Sequence, residues 1–246
     1  QIIAIAEKNG IFVIEDAAQA IDSYYQPVGG SKQALGTIGM LGSFSFHETK
    51  NIQCGEGGAL LINEASLMER AEIIWEKGTN RTAFWRGEVD KYGWVDIGSS
   101  FLPSELSAAF LYAQLEHIHE IQNKRKSIWN QYQRGLKNLF DEGKVRGPHI
   151  PGYATNNAHM FYIVCESEQE RINLIAHLRE KEIISVFHYQ SLHQSSYFKG
   201  QHGSRNLHWA DTYTDCLLRL PLHFGLSSSD VERVINEINI FFSYSK

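Results

Sequence analysis

The chain has 246 residues, 43% of them hydrophobic, and a formal net charge of −5. That composition suits one large or two modest globular domains. The acidic balance and the lack of any long Lys/Arg run argue against nucleic acid and anionic membrane as partners, and no stretch approaches the roughly 18 consecutive apolar residues of a membrane span. Three widely spaced cysteines, Cys54, Cys165 and Cys216, form no CxxC pair and point to a reducing compartment, the cytoplasm. Two histidine pairs, His117/His119 and His188/His193, lack the spacing of shared metal ligands, so no metal site is expected.

Ile2, Ile3, Ile5 and Ala6 read as a helix already in progress, stopped by Asn9-Gly10. With no initiator Met and no basic leader, the sequence is expected to continue upstream. Residues 10–16, GIFVIED, read as a fully buried strand of a parallel sheet with Asp16 at its carboxyl end, the end where open α/β sheets bind ligands. A short helix is expected over 17–24, and the Gly- and Pro-dotted 25–39 is a loop. GSFSFH (42–47) and ALLIN (59–63) are strands joined through the tight GEGG turn. Helical spacing returns over 65–77, and 78–98 is a long polar and aromatic loop of the kind that often carries function. Ser104 caps a strong helix from Glu105, and the helical pattern runs on towards Phe140 with a break expected near 116–118. After Pro148 and Pro151 the pattern becomes strand (159–166), helix (167–183, with Ile172, Ile175, Ala176 and Leu178 inward), strand (184–189), strand (215–222) and a capped terminal helix (227–242). These elements predict an α/β chain of two domains, residues 1–117 and 118–246, the second a small α+β domain.

Asp16 ends one strand and Gln19 follows it closely; Ser45 lies in the next strand, with Lys50 five residues on. If those strands are neighbours, the four groups converge at one sheet edge. Pyridoxal-phosphate (PLP) chemistry uses such a set: an amine for the cofactor aldehyde, a carboxylate for the pyridine nitrogen, an amide for the ring oxygen and a hydroxyl for the phosphate. Taken singly, each residue is better read as ordinary: Asp16 as a loop anchor, Lys50 as a solvated loop lysine. Spacing alone favours the ordinary readings.

VIEDAAQA (13–20), GSFSFHETKN (42–51) and GEGGALLIN (55–63) resemble the DegT/DnrJ/StrS sugar aminotransferases. The later stretches EKGTNRTAF, VDIGSSFLPSELSAAFLYAQL, NAHMFYI, VFHYQSLH and LLRLPL are similar to one subgroup, the dTDP-4-amino-4,6-dideoxygalactose transaminases. The resemblance implies an aspartate aminotransferase-like, fold-type I PLP-dependent transferase: part of a large α/β/α domain and the small C-terminal α+β domain. It makes Lys50 the Schiff-base lysine, Asp16 the partner of the pyridine nitrogen, Gln19 the neighbour of the ring oxygen and Ser45 a phosphate ligand. Ser100 falls where many relatives place an asparagine that reaches the phosphate of the neighbouring subunit. His188 and Tyr189 fall in the HYxPxH segment near the substrate, with Ser191 in place of its proline.

The reaction implied moves an amino group from glutamate to C4 of a dTDP-4-dehydro-6-deoxy-hexose, in a cytoplasmic homodimer that serves cell-surface polysaccharide assembly. The 78–94 loop, with Arg81 among its cations and aromatics, has two readings: a contact for the nucleotide sugar, or a solvated loop packing its rings on the domain. A nucleotide-sugar dehydratase of the same fold is the alternative enzyme, but such relatives carry histidine where this chain has Lys50. A catalytically silent truncated fragment is the other alternative. The family's second phosphate loop and its ring-stacking aromatic lie upstream of the stretches matched here. The isolated chain is therefore expected to be poorly soluble or unstable.

Overall fold

The computed structural model describes residues 1–203 and 205–244 and divides the chain into two compact units: residues 1–119 with 152–157, and residues 120–151 with 158–246. In the first unit, α1 (Ile2–Lys8) ends where Gly10 turns to φ +63° and Ile11 N–H bonds back to Ala6 O at 2.9 Å. There follow β1 (Ile14–Asp16), the two-residue strands β2 (Tyr24–Tyr25) and β3 (Gln33–Ala34), β4 (Leu41–Ser45) and β5 (Gly58–Ile62). The unit continues with α2 (Met68–Trp75), α3 (Arg81–Trp85) and α4 (Glu105–Glu116). The main sheet has the order β1-β4-β5, with β1 parallel and β5 antiparallel to β4.

Two expectations fail here. The strand at 10–16 is only three residues long, and Ile11, Phe12 and Ile14 are exposed rather than buried. β1 has β4 on one side and no strand on the other among the described residues, so its apolar side chains find no second layer. The segment 17–23 forms turns instead of a helix, because residues 17–21 carry backbone groups used by long-range partners described below.

The expected break in the long helical stretch falls at His117, whose φ of −102° and ψ of 14° end α4. The helix α5 (Ile118–Gly135) begins at the next residue and α6 (Lys137–Asp141) follows it. The second unit then adds β6 (Phe161–Val164), α7 (Glu168–Glu180), β7 (Val186–Phe187), α8 (Ser196–His202), α9 (His208–Cys216), β8 (Leu217–Leu220) and α10 (Ser228–Tyr244). Its antiparallel sheet has the order β6-β8-β7. One face of that sheet, Phe161 and Ile163 opposite Leu220 and Leu218, joins Ile128, Tyr132 and Leu136 of the α5 stretch, Leu174 and Leu178 of α7, and Val231, Ile235 and Ile238 of α10 in a single core.

On α7 the inward face is carried by Leu174 and Leu178, with Ile175 partly buried; Ile172 and Ala176 are exposed, against expectation. The helix is rotated so that Arg171, not Ile172, turns inward and donates to Asp215 O at 2.5 Å. Helices α8 and α9 were not legible as helices in the sequence.

Candidate cofactor site

Strand alternation separates the two carboxylates that end β1. Glu15 accepts from Gly36 N–H at 2.9 Å, Ile38 N–H at 2.6 Å and Gly39 N–H at 2.7 Å, so it ties down the loop that leads into β4. Gly42 is required beside it: a Cβ there would lie 2.1 Å from Gly36 O. Asp16 points to the opposite side and is exposed. Its Oδ1 accepts from Ala18 N–H at 3.1 Å, and among the described residues Oδ2 has no partner. The parallel register pairs Asp16 with Ser43, which puts Ser45 two residues further along the same face of β4.

Beyond Ser45 the chain closes a turn around His47. Lys50 N–H donates to His47 O at 2.9 Å, and Thr49 N–H donates to His47 Nδ1 at 3.2 Å. With Nδ1 an acceptor, the Thr49 hydroxyl donates to it as well, at 2.9 Å. Ser45 Oγ accepts from His47 N–H at 3.3 Å, and its own O–H remains available to donate. Lys50 is half-buried, and among the described residues its ammonium makes no hydrogen bond or ion pair.

A buried amide clamp that sequence reasoning missed holds this turn from behind. Asn51, directly after Lys50, donates to Asn157 O at 2.8 Å. Asn157 in turn donates through Nδ2 to Gln19 O at 2.8 Å and Ile21 O at 2.9 Å. Both asparagines are buried, 6% exposed each. The clamp joins the lysine turn to the loop of Gln19, whose side chain is exposed. Its only sequence signal is Asn157 at the head of the NAHMFYI stretch.

The other expected residues lie apart from this group. Ser100 is exposed and forms an isolated bridge with Glu76. Arg81 donates to the buried Glu76 carboxylate at 2.9 Å and lies 5.8 and 5.7 Å from the ring centres of Trp85 and Tyr92. Its guanidinium therefore braces the aromatic loop. His188 and Tyr189 belong to the second unit, immediately after β7, with ring centres 3.8 Å apart and planes tilted by 36°.

The donor set suits PLP in its chemistry. It has an amine with no competing partner, a carboxylate with a spare oxygen at a strand's carboxyl end, and a hydroxyl free to donate on the neighbouring strand. No helix among the described residues is long and apolar enough to cross a membrane.

Comparison with solved structures gives the same fold. A DegT DnrJ EryC1 StrS aminotransferase from Brucella abortus is 30% identical, with a TM-score of 0.81 over 100% of this chain and 60% of its own. The aminotransferase TlmJ from Streptoalloteichus hindustanus is 26% identical, with a TM-score of 0.82 over 98% of this chain and 61% of its own. Spr1654 from Streptococcus pneumoniae in its PLP form is 23% identical, with a TM-score of 0.79 over 95% of this chain and 58% of its own. The chain thus spans about three-fifths of the length of the structures it matches. The architecture is that of part of a fold-type I PLP-dependent transferase. The model of the DegT/DnrJ/EryC1/StrS aminotransferase family matches residues 1–239, and the chain belongs to that family.

Proposed function

We propose that the protein to which these residues belong is a PLP-dependent aminotransferase that moves an amino group from glutamate to the 4-keto group of a dTDP-4-dehydro-6-deoxy-hexose. The observation that carries the reading is the half-buried Lys50 amine, without a partner among the described residues, held in a turn braced by His47 and Asn51 beside the register that aligns Asp16 with Ser43 and Ser45. PLP, when bound, supplies the electron sink and the carrier for the amino group.

The chain's own residues divide the remaining work. Lys50 would hold the cofactor through its amine and, once displaced by a substrate amine, would move a proton at the substrate carbon. The spare oxygen of Asp16 would accept from the protonated ring nitrogen and keep the positive charge there. Gln19 would meet the ring oxygen, and Ser45 would donate to the phosphate. His188, Tyr189 and the loop braced by Arg81 are assigned to the nucleotide-sugar side. Along the chain on either side of Ser100, Trp94, Ile97, Phe101, Leu106 and Phe110 are all exposed. That apolar exposure supports a homodimer in which Ser100 serves the partner's phosphate. The three free cysteines support a cytoplasmic setting. The 4-keto dTDP sugar rests on the subgroup resemblance of the motifs alone.

The test uses both the 246-residue chain and the longest natural polypeptide that contains it. Each is incubated with PLP, reduced with borohydride and mapped by peptide mass spectrometry. The label is expected on Lys50 and is absent in Lys50→Ala. A label on another lysine would overturn the assignment. Glutamate is expected to bleach the visible absorbance of the bound cofactor; a spectrum that does not respond removes glutamate as donor.

A further inference from the structure

Arg219 sits at the middle of β8, the central strand of the second sheet, between Leu218 and Leu220. Those two leucines point into the core, so Arg219 projects from the opposite face, alongside its cross-strand neighbours Tyr162 and Val186. Its Nη1 donates to His188 Nδ1 at 2.9 Å. Among the described residues its other N–H groups have no acceptor, and no carboxylate pairs with it.

A second guanidinium lies close enough to feel its charge. Arg125 of α5 is buried, 7% exposed, and donates to Ala158 O at 3.1 Å and His159 O at 2.7 Å. Those carbonyls satisfy its N–H groups but bring no full negative charge. Burial first, and then the nearby Arg219, lowers Arg125 to about 10, and no acid acts in the other direction. Two guanidiniums placed near each other, one buried and one partly buried, with no acid beside either are uncommon, because buried charges are usually paired. The missing counter-charge is an anion, and the planar fork of an arginine is shaped to take a carboxylate or phosphate through two parallel hydrogen bonds.

We propose that Arg219, oriented by His188 and backed by Arg125, is the receiving group for an oxyanion carried by a substrate. The proposal deepens the aminotransferase reading and rests on it for the choice of substrate. That reading brings two anionic substrates, a dicarboxylic amino acid and a nucleoside diphosphate sugar, and the same fork chemistry serves either. His188 helps to fix the guanidinium: its Nδ1 takes one N–H and leaves the remainder of the fork for an anion.

The test measures binding by calorimetry, with glutarate and dTDP as unreactive probes, on the PLP-treated natural polypeptide and on its Arg219→Gln and Arg219→Lys variants. A charge-assisted fork is worth about ten- to a hundredfold in affinity. If the oxyanion is the amino acid's carboxylate, Arg219→Gln weakens glutarate by that factor and leaves dTDP within about twofold. If it is the nucleotide's phosphate, the pattern reverses. Arg219→Lys keeps the charge and loses the fork, so it is expected to fall between wild type and Arg219→Gln. Equal binding of both probes by all three proteins, at unchanged melting temperature, would overturn the proposal. Loss of probe binding in a protein whose Lys50 takes no PLP would uphold the oxyanion site and sink the aminotransferase reading instead.

Discussion

Asn157 shows how much of a site can rest on a side chain with no chemistry of its own. Its side-chain amide donates to two backbone carbonyls, Gln19 O and Ile21 O, while its backbone carbonyl accepts from Asn51 Nδ2. Asn157→Leu keeps the volume but strands two partly buried acceptors. The expected loss is on the order of 1–3 kcal/mol of folding stability, read as a lower urea midpoint. PLP retention should fall with it, because the loop of Gln19 and the turn of Lys50 lose their common anchor. Asn157→Asp is the sharper variant: it is the same shape without the donors, so retention of full stability would show that the clamp contributes nothing. The sequence shows why this residue was missed. Asn51 and Asn157 are 106 positions apart, and no local pattern links them. Asp16, Ser45 and Lys50 could be grouped from the sequence because their strand pattern suggested neighbouring strands, and β1 and β4 do pair directly, with Lys50 five residues after β4.

Helix ends were the most legible elements, since their signals are local. Ser104 Oγ accepts from Ser107 N–H at 3.1 Å, and Ser167 Oγ accepts from Glu170 N–H at 3.2 Å, each at the residue where its helix was expected to begin. At the start of α10 the cap is reciprocal: Ser227 Oγ accepts from Asp230 N–H at 3.1 Å, and Asp230 accepts from Ser227 N–H at 3.1 Å. The Ser227 hydroxyl and then its N–H hold the Asp230 carboxyl below its ordinary value. A carboxyl depressed in the folded state adds stability above its unfolded pKa and loses it as pH falls through the folded value. The melting temperature of Asp230→Asn should therefore lie below that of the wild type near neutrality, with the gap closing below about pH 4. A gap that stays constant down to about pH 2 would show that the cap acts through something other than charge. Strands were less legible. GIFVI has the composition of a buried strand, but burial depends on what lies beside it, and composition does not report neighbours.

At the scale of the molecule the two units are unequally packed. The large apolar core belongs wholly to the second unit, from Ile128 to Phe242. Among the described residues, the buried apolar side chains of the first unit are Ala6, Ala17, Phe46 and Ile52. The same unit leaves Ile2, Ile5, Ile11, Phe12 and Ile14 each more than 60% exposed. Hydrophobic burial is the main favourable term in folding, so the two units should differ in local stability. In hydrogen exchange on the 246-residue chain, amides of α5, α7, β8 and α10 should be the slow set, while those of β1, β4 and β5 exchange early. The exposed apolar side chains should also drive concentration-dependent association, visible in size-exclusion chromatography. Uniform protection across both units, in a monodisperse sample, would contradict this account.

The return of residues 152–157 to the first unit has a further consequence, for synthesis. The chain leaves that unit at about residue 119 and comes back more than thirty residues later. Tyr153 and Thr155 then bond to Gln26 and Tyr24, and Asn157 closes on Gln19. A ribosome emits the lysine turn long before it emits the segment that locks it. The turn around Lys50 must therefore wait, incompletely braced, while a hundred further residues are made. Competence to take the cofactor should appear late in translation, and a nascent chain arrested before residue 157 should not retain PLP.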